Sequence, residues 1–175
     1  MSTWKIDPSH SHAQFSVRHM MITNVHGDFP QLSGTVELDE VDVTKSKVEA
    51  TLATASIDTR DAKRDTHLKS ADFFDAEKHP SITFRSTSIK KAGEGELSVT
   101  GDLSMHGVTK SVVLKVEGPT PPGKTPWGGI KRGASATTKV SRKEFGLEWN
   151  AALETGGVLV GDEIKITLEL ELDPG

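Results

Sequence analysis

Residues 164–172 read Ile-Lys-Ile-Thr-Leu-Glu-Leu-Glu-Leu, and this stretch decides the fold class. Five aliphatic residues alternate with four polar ones. Alternation with a period of two is typical of a strand, whose successive side chains point to opposite faces of a sheet. The stretch is therefore predicted to be a β-strand with one buried face and one exposed face.

The same alternation recurs along most of the chain. It is clear in residues 97–105 and 112–116, and the short stretch 106–109 between them predicts a hairpin. Further alternating runs begin at Ala13, Leu32, Val48, Ile82 and Ala134. About eight strands result, a typical number for a small closed barrel, and residues 1–175 are expected to form one all-β domain. Because such an antiparallel sheet must bury its apolar face, a closed barrel and a two-sheet sandwich are the two candidates.

One segment departs from the strand pattern. Between Asp61 and Phe74, Leu68 and Phe74 belong to a helically spaced apolar set, and Thr59 stands where an N-cap would be. This segment is predicted to be the only substantial helix, near the mouth of the barrel. The Pro/Gly-rich stretch Gly118–Gly133 is predicted to be a surface loop.

The inward face of several predicted strands carries small residues, which leave volume unfilled: Ala13, Ala50, Gly101, Ala134, Ala136 and Thr138. An apolar void of roughly 400 Å³ would cost on the order of 10 kcal/mol. Whole domains are stable by only about 5 to 15 kcal/mol. A hollow barrel is therefore expected to hold water at a polar end or an apolar ligand, whereas a sandwich would fill the gaps with large residues from its other strands.

Composition excludes several functions. The 21 basic residues are scattered among 25 acidic ones, with a net charge of -4, so no nucleic-acid partner is expected. The chain has no cysteine, and it shows neither a Gly-x-Ser-x-Gly elbow nor a glycine-rich phosphate loop. No stretch resembles a signal peptide or a membrane span, so a cytoplasmic protein without stable membrane insertion is expected.

Eight blocks in the same order along the chain resemble the YceI-like family. They are residues 4–7 (WKID), 11–19 (SHAQFSVRH), 27–29 (GDF), 56–59 (SIDT), 64–75 (RDTHLKSADFFD), 80–86 (PSITFRS), 101–110 (GDLSMHGVTK) and 142–146 (RKEFG). The helical block 64–75 is the most specific of them. Members of this family are lipocalin-like antiparallel barrels that bind polyisoprenoid lipids in their interior.

The resemblance implies a closed lipocalin-like barrel that binds a long apolar lipid, such as an isoprenoid quinone or a polyprenyl phosphate, for storage, sequestration or transport. It implies no catalysis and no cofactor. An enzyme acting on such a lipid and a stress-related interaction protein with an incidental ligand are the alternatives. A homodimer is a further possibility. Many relatives are exported, whereas this sequence begins almost directly at its first strand.

The predicted ligand-binding residues fall into three groups. The first group points into the barrel because its members occupy the inward positions of the strand alternation. His19 occupies such a position too, and it either binds a lipid head group or is a hydrogen-bonded core histidine. The second group lies in the helical block, which is either a lid or a simple cap. The third group is Trp127 in the long loop, which is either a portal residue or an anchor of the loop. The complete set is Phe15, Val17, His19, Leu68, Phe73, Phe74, Phe84, Leu103, Met105 and Trp127.

No metal site is predicted. His10 and His12 would share one strand face about 7 Å apart, but zinc requires three or four ligands, and no His-Glu-x-x-His pattern occurs. Hydrogen-bonded or solvated histidines are expected instead. Arg142 and Glu144 are expected to form a structural ion pair.

Overall fold

A computed structural model describes all residues, 1–175, and the protein is almost entirely β-structure. It has eleven strands and one short α-helix, α1 (Ala62–Lys69). The strands are β1 (Ser2–Ile6), β2 (His12–His19), β3 (Thr23–Asp28), β4 (Leu32–Leu38), β5 (Lys47–Ala53), β6 (Ser81–Gly93), β7 (Glu96–Met105), β8 (Val108–Glu117), β9 (Gly123–Lys124), β10 (Ile130–Ser141) and β11 (Val160–Pro174).

Eight of these strands close into an antiparallel barrel. The ring runs β11-β1-β4-β5-β6-β7-β8-β10, and β10 pairs back onto β11 from Arg132↔Leu172 to Ser141↔Glu163. The other edge of the long strand β11 is shared, because β1 pairs with its last residues and β2 pairs with residues 160–169. The hairpin β2–β3 extends the wall, and β9 pairs with the start of β10. The closed barrel predicted from the sequence is confirmed, and the sandwich is excluded.

The alternation in the sequence determines which side chains point into the barrel. In β7 the residues Leu97, Val99, Gly101, Leu103 and Met105 are all buried, while their neighbours are exposed or half-buried. The apolar residues of β11 face the barrel interior, and Leu172 is only 2% exposed. The predicted hairpin is also present, since Met105 pairs with Val108 across the turn at residues 106–107.

The helix is shorter than predicted. It ends at Lys69, where the backbone N–H of Ser70 donates to the carbonyl of His67, so residues 70–79 form a series of turns. Its N-cap is Asp61, whose carboxylate accepts from the N–H groups of Lys63 and Arg64 at 3.1 Å. The prediction of Thr59 as N-cap was wrong because an Asp two residues later reaches these orphan donors.

The predicted loop Gly118–Gly133 is likewise shorter than expected. Its last four residues already belong to β10, and Gly123–Lys124 forms the small strand β9. Threonine side chains and glycine backbones satisfy part of its hydrogen bonding, as in the bond from the Gly129 N–H to Thr125 Oγ1 at 2.8 Å. The segment is therefore partly ordered by its own pairing.

The barrel has two different ends. The terminal end carries both chain termini, the β4–β5 connection and the β6–β7 turn. The helix end carries α1, the β2–β3 turn and the connection 142–159. A satellite core cluster fills the terminal end: Ile89, Leu97, Val99, Leu114 and Ala136. The main core cluster spans the barrel wall and reaches the helix end.

Candidate functional site

The barrel encloses a cavity of about 370 Å³. Its lining comprises 49 residues, of which 38 are hydrophobic. It extends from Leu38 and Pro119 near the terminal end to Trp149 and Leu159 near the helix end. A cavity of this size and apolar character is typical of a site for a small or chain-like apolar ligand.

Small residues create part of this volume, as the sequence predicted. Five of the six small inward residues line the cavity: Ala13, Ala50, Ala134, Ala136 and Thr138. Gly101 does not, because the ring of Phe84 fills its place: a Cβ on Gly101 would lie 2.4 Å from that ring and 2.6 Å from the carbonyl oxygen of Arg85. A larger residue at position 101 would therefore collide with the backbone and with Phe84, and would not enter the cavity.

Nine of the ten predicted ligand-binding residues line this cavity together. They are Phe15, Val17, His19, Leu68, Phe73, Phe74, Phe84, Leu103 and Met105. Trp127 does not, because it lies at the tip of the loop between β9 and β10 with 77% of its surface exposed. The geometry thus separates Trp127 from the other nine.

The two ends of the cavity differ in how they are closed. At the terminal end, the satellite cluster is buried, and none of its five residues is more than 9% exposed. At the helix end, Arg18 is exposed, and the lining residues His19, Leu159 and Val160 are only half-buried. Lining residues at the terminal end, such as Val116 and Pro119, are half-buried as well, so the exposed Arg18 is what distinguishes the helix end.

Aromatic contacts attach the segment around α1 to the barrel. Phe29 lies between two other rings, with centroids 5.7 Å from Phe15 and 5.9 Å from Phe74. His67 contacts Phe73 at 5.1 Å and Trp149 at 4.8 Å, both edge to face. Neither Phe29 nor Trp149 was singled out in the sequence. Phe29 belongs to the GDF block, which gave a signal, whereas Trp149 lies in a stretch without periodicity.

All ionisable side chains that line the cavity are basic, and all lie at the helix end: Arg18, His19, Arg64, His67 and Arg142. No aspartate or glutamate lines it. Arg64 donates to Oγ1 and the carbonyl of Thr59 at 2.7 and 2.6 Å, and His67 Nε2 lies 2.8 Å from Asp72 Oδ2. The helix end of the cavity is therefore the part that suits a polar or anionic group.

Arg142 has a structural role. It is 3% exposed and donates to the carbonyls of Leu147, Trp149, Val160 and Gly161. Burial lowers its pKa, and the charge of Asp162 opposes that effect. The expected ion pair with Glu144 is not formed, because these backbone carbonyls and Asp162 at 3.9 Å surround the guanidinium.

A polar cluster on the outer wall unites Asp7, His10 and Glu171, whose ligand atoms lie within 4.8 Å of one another. The ammonium of Lys131 lies 2.6 Å from Asp7 Oδ2 and 3.3 Å from Glu171 Oε2, so it already supplies the positive charge there. The hydrogen bond from Lys131 holds the pKa of Asp7 well below its usual range, with help from Ser9 and His10. His10 precedes β2 and His12 begins it. The prediction that the two histidines share one strand face was therefore wrong.

Together, the closed eight-stranded antiparallel ring and its apolar interior define a lipocalin-like barrel. The family model of the YceI-like domain matches residues 4–172, and the chain belongs to that family. Protein YceI from Escherichia coli O157:H7 is 42% identical over 147 residues, which cover 83% of this chain and 76% of that relative.

Two solved structures show the same fold. BcnA from Burkholderia cenocepacia superposes with a TM-score of 0.81 at 24% identity, covering 95% of this chain and 98% of BcnA. A polyisoprenoid binding domain from Saccharophagus degradans, implicated in plant cell wall breakdown, superposes with a TM-score of 0.72 at 13% identity over the whole of both chains. None of the helices in this protein is long and apolar enough to cross a membrane.

Proposed function

We propose that this protein binds one long apolar lipid, a polyisoprenoid or a chain of similar shape, inside its barrel and carries out no chemistry on it. The observation that carries this proposal is the cavity of about 370 Å³, with 38 hydrophobic residues among the 49 that line it. Left unfilled, such a cavity would cost about 9 kcal/mol. A bound chain would recover much of that cost, since burial contributes about 0.8 kcal/mol per methylene.

The ligand-binding residues in this proposal are the nine predicted residues that line the cavity, Trp127 being left out because of its exposure. Phe84, Leu103 and Met105 would contact the tail. Phe73, Phe74 and Leu68 would cover its entrance at the helix end. Because Arg18 and His19 lie at that same end and no carboxylate lines the cavity, the polar head of the lipid would lie there.

The polar groups near the cavity support binding over catalysis. Arg142 is committed to backbone carbonyls, and Arg64 to Thr59. The imidazole of His67 lies beside Asp72 and against the rings of Phe73 and Trp149, with no hydroxyl nucleophile bonded to it. Nucleophilic catalysis requires a nucleophile within hydrogen-bonding reach of its base.

Titration with a fluorescent polyene fatty acid, followed by displacement with geranylgeraniol, tests the proposal. We expect saturation at about one polyene per chain and full displacement by the isoprenoid. Absence of saturable binding would contradict the proposal. The use of the lipid in storage, sequestration or transport, and the cytoplasmic location, stay predictions that cell fractionation and lipid-transfer assays address.

A further inference from the structure

The turn between β2 and β3 has an unusual sequence for its backbone conformation. The N–H of Ile22 donates to the carbonyl of His19 at 3.2 Å, and the two central residues, Met20 and Met21, have φ angles of 51° and 64°. Two consecutive left-handed residues define the hairpin turn that strongly favours Asn-Gly. The chain instead places two long apolar side chains in a backbone conformation that opposes them.

These side chains are exposed at the outermost point of the hairpin. Met20, Met21 and Ile22 are 44%, 55% and 69% exposed, and Val158 in the neighbouring connection is 41% exposed. The two segments are joined, since the N–H of Met20 donates to the carbonyl of Leu159 at 2.8 Å. We call these four residues the apolar tip.

The apolar tip borders the cavity at the helix end, where the lining residue Arg18 is exposed. His19 directly precedes Met20 and lines the cavity, as do Leu159 and Val160 directly after Val158. The exposed apolar surface is thus continuous along the chain with the apolar wall of the interior. A lipid leaving the cavity here would pass over the apolar tip.

We propose that the apolar tip inserts into the interfacial region of a lipid bilayer, where the barrel takes up and releases its cargo. This inference rests on the proposed function, because a lipid carrier must exchange its cargo with a membrane. The hairpin has one arginine, Arg18, and one aspartate, Asp28, and the chain as a whole carries a net charge of -4. Attraction to anionic lipids is therefore not the driving force. The driving force is instead the burial of apolar side chains in the membrane interface.

A triple variant, Met20→Asn with Met21→Gly and Ile22→Thr, removes the apolar side chains and gives the turn its preferred residues, so folding is retained. Val113→Thr is the matched control, because Val113 is a 53% exposed apolar residue on the outer wall in β8. The probe is flotation with phosphatidylcholine vesicles at low and high salt. We expect partitioning of the parent at both salt concentrations, at least fivefold loss in the triple variant, and no change in Val113→Thr.

Polyene binding in the absence of vesicles separates this inference from the proposed function. We expect the triple variant to bind the polyene as the parent does, but to exchange it with vesicles at least fivefold more slowly. Equal vesicle partitioning of variant and parent would overturn the inference. So would a concentration-dependent dimer of the parent that the triple variant loses, because a second copy would then cover the tip. A parent that binds vesicles but no polyene would refute the proposed function instead.

Discussion

The ring of Phe74 stands edge-on against the ring of Phe29, with centroids 5.9 Å apart and planes at 90°. Phe29 directly follows β3 and is buried, whereas Phe74 belongs to the turns after α1 and is half-buried. The helix itself has no buried residue. The cover at the helix end is therefore attached through aromatic contacts and the hydrogen bonds of Arg64 to Thr59, and not through a buried face of the helix.

Phe74→Ala is expected to open this cover. Loss of the edge contact with Phe29 should raise the rates of polyene uptake and release at least threefold while changing equilibrium affinity less, because lids act mainly on rates. Stopped-flow fluorescence measures the rates. An unchanged exchange rate with a large fall in the denaturant midpoint would show that the segment is a structural cap.

Phe73→Ala serves as the comparison for that experiment. Phe73 is only 7% exposed and packs against His67 and Trp149. Truncation of a buried Phe costs about 3 kcal/mol. We therefore expect Phe73→Ala to lower the free energy of unfolding more than Phe74→Ala does, as measured by urea denaturation.

Ala134→Leu is expected to fill part of the cavity. Ala134 lines the interior and lies opposite Leu170 on β11. Its three added carbons would be buried, which stabilises the ligand-free barrel by on the order of 2 kcal/mol and leaves less space for a lipid chain. Polyene titration should show at least fivefold weaker binding with an unchanged or higher denaturant midpoint. Val113→Leu on the outer wall should leave both quantities unchanged, and parental affinity in Ala134→Leu would place the ligand elsewhere.

Arg142→Lys is expected to destabilise the connection 142–159. A lysine cannot donate in a fork to the separate carbonyls of Leu147, Trp149 and Gly161, and the loss should cost about 3 kcal/mol. Urea denaturation with hydrogen exchange of this connection is the measurement. Lys143→Met, which alters an exposed neighbour, is the control. Parental exchange protection in Arg142→Lys would refute this role.

The Asp7–Lys131 pair predicts a specific pH dependence. The folded-state pKa of Asp7 is lowered, so the ion pair contributes to the free energy of unfolding at neutral pH. This contribution decreases as the pH falls below about 3.9, where the carboxylate of Asp7 takes up a proton in the unfolded chain. Lys131→Met should therefore be less stable than the parent at pH 7, with a smaller difference at pH 3. Denaturant midpoints at both pH values measure this. Lys139→Met removes only an exposed pair and should show no such convergence; an equal gap at both pH values would contradict the prediction.

The strands and their inward faces were predictable because burial on one side of a sheet leaves a period of two in the sequence. Residues 97–105 and 164–172 carry that signal through uninterrupted alternation. Periodicity alone did not distinguish a closed barrel from a two-sheet sandwich. The resemblance of the ordered blocks to the YceI-like family favoured the closed barrel. The barrel ring has eight strands, as predicted, while the chain has eleven, because the short strands β1, β3 and β9 lie outside the eight alternating runs of the sequence.

Long-range polar and steric relations were not predictable. Arg142 is satisfied by carbonyls up to nineteen residues away, and carbonyls carry no sequence signal. The approach of Phe84 to Gly101 depends on the register between β6 and β7. The Met20–Met21 turn gave no signal, because the residues typical of its conformation are absent.

Native mass spectrometry of the purified protein, followed by organic extraction and identification of what is released, tests the central claim most directly. The account predicts one lipid with a long apolar chain per protein molecule, released on denaturation, and much less of it in Ala134→Leu prepared in parallel. A protein that carries no lipid and that takes none up from an added mixture of isoprenoids would contradict the account.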